Sequence, residues 1–62
     1  MDHEAELLRE ARSAIREHPR LHCDIVELYR LAMDEIGDGG SPAHEYELFM
    51  DGLNELKQGE PT

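Results

Sequence analysis

The amino-acid sequence predicts an all-α protein: an antiparallel helical hairpin plus an N-terminal helix, three short helices forming one small domain over residues 1–62. Three observations carry this reading. Apolar residues recur at spacings of three and four along most of the chain. Pro19 and the segment Gly37-Asp38-Gly39-Gly40-Ser41-Pro42 punctuate it into three pieces. The third observation is that no stretch reads as a strand.

The first helix is predicted over about residues 2–17. Asp2 suits its N-cap, and Leu8, Ala11, Ile15 and His18 form an apolar stripe that Leu7 and Ala14 widen. Most of the remainder is Ala, Leu, Glu and Arg, all strong helix formers. Pro19 lacks an amide hydrogen and pushes His18 away from helical geometry, so the first helix ends there and Pro19 opens the second.

The second helix is predicted over about 20–36. Leu21, Ile25, Leu28, Tyr29, Ala32 and Ile36 share one face, and Val26 and Met33 extend it to an arc of roughly 160°, wide enough to touch two neighbours. Gly37 suits a left-handed C-cap, and Gly39-Gly40 lets the chain reverse. Ser41 followed by Pro42 reads as N-cap and first residue of a third helix, about 42–57, whose inner face is Ala43, Tyr46, Phe49, Met50, Leu53 and Leu56. Residues 58–62 are expected to fray.

Composition bounds what such a molecule does. Eight Leu, three Ile, one Val and three aromatic rings form a small apolar inventory, and a domain near this length buries only about 60% of its unfolded surface. A deep enclosed active site is not expected, and oligomerisation is one way to complete the core. The formal charge is −9, unevenly distributed. Residues 1–20 hold five acids and four Arg, whereas residues 21–62 hold ten acids against Arg30 and Lys57. This excludes direct nucleic-acid binding, which needs clustered cations. The apolar runs are too short for a membrane span, and the N-terminus lacks the pattern of a secretory signal. With Cys23 as the one cysteine, a disulfide framework is excluded and a reducing, cytoplasmic setting is expected.

Chemistry-bearing patterns are few. His18 and His22 are four apart, with Cys23 and Asp24 nearby, and two imidazoles on one helical turn can share a metal. Pro19 lies between them and Cys23 points about 100° away from His22, so bundle-end packing is the preferred reading and metal binding the second alternative. None of the four histidines has a Glu three residues before it, which excludes the di-iron bundle motif. The Asp34–Gly40 segment lacks calcium-loop ligands. Cys23 beside His22 does not form a nucleophile–base pair, because helix neighbours diverge. We therefore expect no enzymatic activity and no cofactor.

Two charged surfaces remain. Arg9, Arg12, Arg16 and Arg20 line one side of the first helix, where Glu6–Arg9 and Glu17–Arg20 are at pairing distance. This ribbon is read as pairing internally with the acidic helices or with a second copy of the chain. Opposite the core run Asp24, Glu27 and Asp34 on the second helix and Glu47, Asp51 and Glu55 on the third. Leu31 lies among the first set, about 140° from its apolar arc, and Leu48 lies similarly among the second. If the turn is centred near Gly39-Gly40 they fall at one level, with Gly52 leaving room for close approach. Apolar spots ringed by charge have the composition of an interface anchor with a polar rim.

The function expected from sequence is therefore a non-catalytic acidic interaction module, a small regulator or inhibitor that binds a basic surface on a partner protein. One narrower form is blockade of a nucleic-acid-binding protein, with carboxylates occupying sites built for phosphates. The alternative is a homo-oligomeric structural or accessory subunit of a larger assembly.

Overall fold

A computed structural model describes residues 2–59. It contains α1 (His3–Glu17), a 3-10 turn (Pro19–Leu21), α2 (His22–Gly37) and α3 (Pro42–Gly59), with no strand among the described residues. The predicted all-α class holds. The helices run up, down and up in a slender rod with Cα extents of 37 × 16 × 16 Å. Each helix packs against the other two, so α1 completes the hairpin of its own chain.

The punctuation acts largely as expected. Asp2 caps α1, its Oδ1 accepting from the amides of Glu4 at 3.2 Å and Ala5 at 3.4 Å. His18 leaves helical geometry at φ −131°, ψ 72°, and its amide donates to the Ala14 carbonyl at 2.8 Å. Pro19 does not open α2 directly. It begins a 3-10 turn, and α2 starts at His22, two residues later than predicted. At the other end of the hairpin the left-handed residue is Gly39, with φ 101°, rather than Gly37, which remains helical. The Gly40 amide donates to the Glu35 carbonyl at 2.7 Å and that of Gly39 to Ile36 at 3.1 Å, the bond pair of a Schellman motif displaced by two residues from the predicted cap. Gly40 is held by contact: a Cβ there would stand 2.7 Å from the Glu35 carbonyl oxygen. Ser41 caps α3 through a bond of 3.5 Å from the His44 amide, and Pro42 takes the first helical position. α3 runs two residues beyond its predicted end; residues 60–62 of the expected frayed tail lie outside the described residues.

The core is small: Leu7, Ala11, Ala14, Ile25, Ala32, Phe49 and Leu53, bordered by half-buried residues including Ile15, Leu28, Tyr29, Tyr46 and Leu56. On α1 the buried stripe is Leu7, Ala11 and Ala14, so Leu7 is the core residue and Leu8 is 37% exposed, the reverse of the expected emphasis. On α3 Ala43 is exposed and Glu45 is buried. Glu45 lies four residues before Phe49 and eight before Leu53. Its methylenes extend the core stripe, while the first turn of α3 favours a negative charge. The start of α1 is held to α3 by the His3 ring, 6.0 Å from that of Tyr46 and tilted by 47°. His3 Nδ1 also lies 3.9 Å from Glu6 Oε2.

The turn that reverses α2 into α3 is the most sequence-sensitive piece of backbone. Gly39→Ala forces a Cβ into a left-handed residue and should cost about 1 kcal/mol or more, and Gly40→Ala should be worse because it drives a Cβ onto backbone. Ser41→Ala should cost about 1 kcal/mol or less, given the length of its capping bond. Thermal unfolding followed by circular dichroism should rank the three Gly40, Gly39, Ser41 in decreasing loss.

Candidate functional site

The hairpin presents a groove between α2 and α3, an open recess of about 340 Å³ lined by Asp24, Glu27, Leu28, Leu31, Gly52, Glu55 and Leu56. Its geometry follows from helical phase. Measured from Ile25, at about 100° per residue, Leu28, Asp24 and Leu31 fall roughly 60°, 100° and 120° to one side. Measured from Phe49, Gly52, Leu48 and Glu55 fall at about the same angles in the same sense. In an antiparallel pair, flanks of equal sense lie on one side of the hairpin, so all six residues lie on the groove side, five of them in its lining and Leu48 beside it. Tyr46 falls on the opposite flank, and its contact with His3 places α1 there. The groove therefore faces away from α1.

Register follows from one contact. A Cβ on Gly52 would stand 3.0 Å from Leu28 Cδ2, so these two positions face each other across the interface. Counting outward, Leu31 faces residue 49, and Leu48 stands within one residue of its level, a rise of about 1.5 Å. The room left by Gly52 is filled by Leu28 of the same chain, so the close approach it permits is that of α2 and α3. Leu31 is 58% and Leu48 49% exposed, so both point outward.

The predicted acidic set divides. Asp24, Glu27 and Glu55 line the groove with Leu31, Glu27 reaching it from the back of α2, whereas Asp34, Glu47 and Asp51, roughly 160–200° from the core centres, are outside its lining. Glu35, left out of the sequence reading, falls about 80° from Ile25 on the groove flank. Arg30 and Lys57, the hairpin's two cations, fall to the other side. The flank is thus uniformly negative, and among the described residues none of Asp24, Glu27, Glu35 and Glu55 takes part in an ion pair. A larger depression along α2, from His22 to Asp34, is bordered by that helix alone and so does not lie between two elements.

The arginine ribbon is shorter than predicted. Arg9, Arg12 and Arg16 share an outward strip of α1 with Ala5, Leu8 and Ser13, but Arg20 lies in the 3-10 turn and leaves the row. The ribbon's ion pair among the described residues is Arg9–Glu6, at 3.9 Å within α1, and none joins it to α2 or α3. Internal pairing with the acidic helices is not found, because the Arg side of α1 is opposite its buried side. The Glu17–Arg20 pair is likewise absent, since the helix ends between them.

His18 is the half-buried, non-helical residue after α1 and His22 is the exposed start of α2, so the shared helical face that metal binding required does not form. Cys23 is exposed and free. Among the described residues no group of three or more His, Cys, Asp or Glu is placed to hold a metal ion, and no helix is long and apolar enough to cross a membrane.

No protein family, curated protein or solved structure matches this chain.

Because Leu31 and Leu48 project from the bundle, Leu31→Lys combined with Leu48→Lys should leave helicity intact and shift stability by no more than about 1 kcal/mol. Leu53→Glu, which buries a charge in the core, should abolish the cooperative unfolding transition on the same instrument.

Proposed function

We propose that this protein is a non-catalytic, acidic interaction module that binds a basic, amphipathic surface of a partner protein in the groove between α2 and α3. The observation that carries this reading is the pairing of two outward leucines at one level with a flank free of cations. The leucines supply contact area that water does not satisfy, and Asp24, Glu27, Glu35 and Glu55 match a cationic surface and disfavour an anionic one. The open width between two helices suits a helix laid along it, whose apolar residues repeat at three and four. Covering a basic surface occludes whatever that surface otherwise holds, which makes the module a regulator or inhibitor. Blockade of a nucleic-acid-binding protein is the narrower form of the same reading. The free, exposed Cys23 supports a reducing, cytoplasmic setting.

The test is titration with a synthetic helical peptide carrying Leu and Arg on one face, followed by calorimetry. Binding should weaken steeply between about 50 mM and 500 mM salt, where the screening length falls severalfold. It should also be lost in the Leu31→Lys, Leu48→Lys variant, which keeps its fold, removes the apolar contact and repels the cationic peptide. Binding that ignores both salt and the double substitution would place the contact elsewhere and sink the groove reading.

A further inference from the structure

The molecule carries on one side a surface that complements the groove on its other side. The outward strip of α1 presents Arg9, Arg12 and Arg16 with the exposed Leu8 at its margin. The groove presents Asp24, Glu27 and Glu55 with Leu31, and the exposed Leu48 stands on the same flank of α3. The two match in length, since Arg9 to Arg16, Asp24 to Leu31 and Leu48 to Glu55 each advance seven residues, about 10 Å of helix. They are opposite in charge sign, and each carries exposed leucine beside its charged residues. They cannot meet within one chain, because the strip lies on the far side of α1 from the bundle core and the groove faces away from α1.

Resting on the reading of the groove as a docking site for a basic amphipathic helix, we infer that one occupant of the groove is the arginine face of α1 of a second copy. The contact is heterologous: each copy offers one strip and one groove on opposite sides, so association runs head to tail and does not close at a dimer. The net charge of −9 opposes it at long range, whereas the opposite local charges act within the screening length of about 10 Å at 0.1 M salt. The association is accordingly weak and grows with concentration. A foreign basic helix competes with it for the same groove.

Opposed faces allow a test by complementation. Arg9→Gln, Arg12→Gln and Arg16→Gln together remove the strip and leave the groove. Leu31→Lys with Leu48→Lys removes the groove and leaves the strip. All these positions are exposed, and circular dichroism checks that each variant is folded. Light scattering on the wild-type chain should show a mean mass that rises with concentration beyond twice 7.1 kDa near about 1 mM. Each variant alone should stay at the monomer mass, and an equimolar mixture should climb with concentration toward twice that mass and no further, because one working strip meets one working groove. A wild-type chain that stays monomeric, a mixture that stays monomeric, or either variant dimerising alone would overturn the inference. The Arg-to-Gln variant should still bind the Leu/Arg peptide. Peptide binding without self-association leaves the groove reading standing and removes the second copy as occupant, whereas loss of both removes the groove as a site.

Discussion

Close approach of three helices over a narrow core is the constraint on which this structure depends. Three of the seven core side chains are alanine, one or more on each of α1 and α2, and they contribute little volume. Their value is that they let the backbones come near enough for Phe49, Leu7, Ile25 and Leu53 to be enclosed. Gly52 serves the same end between α2 and α3, where Leu28 occupies the space that a side chain would take. A bundle built in this way has little interior to share out, so leucines beyond the inner row stay outside. Leu31 and Leu48 are exposed because the core is full at that level, with Ala32 and Phe49 already facing inward.

Thinness also governs where charge goes. A rod with a small interior turns most of each helix outward, and the charged third of the residues has ample surface to occupy. Sorting by sign is a separate matter and follows from chain order. The four arginines of the first twenty residues fall on α1 and the turn after it, whereas the acids of α2 and α3 meet two cations that both lie on the flank nearer α1. The arginine strip and the acidic groove therefore sit on opposite sides of the bundle, while α1 also carries acids of its own and pairs Arg9 with Glu6.

Much of the architecture was legible in the sequence because its signals are local. Asp2, His18-Pro19 and Ser41-Pro42 act through the geometry of one or two residues, and they mark boundaries whatever the tertiary fold. The readings that shifted depend on neighbours. Leu7 and Leu8 are equally apolar and adjacent, and only the position of the other helices decides which is enclosed. Gly37 and Gly39 both suit a helix end, and the choice falls to the residue whose successor, Gly40, can lie against the Glu35 carbonyl. Glu45 reads as surface by composition, yet its place in the row of Phe49 and Leu53 draws its stem inward. The pair His18 and His22 has a spacing that means one thing on a continuous helix and nothing across a 3-10 turn. At the groove, the level of Leu31 and Leu48 could be counted from the turn, but the flank on which they stand required the phase of both helices and the position of α1.

The separation of the arginine face from the acidic groove also gives the molecule a dipole transverse to its long axis. A slender body with such a dipole experiences a torque in the field of a charged surface and rotates before it touches. Near a cationic surface the groove turns forward and the arginines trail, so random tumbling is biased toward the productive face. Near an anionic surface the same torque presents α1 first. The orientation at encounter is thus selected by the sign of the approaching surface, although the net charge alone would treat every direction of approach alike.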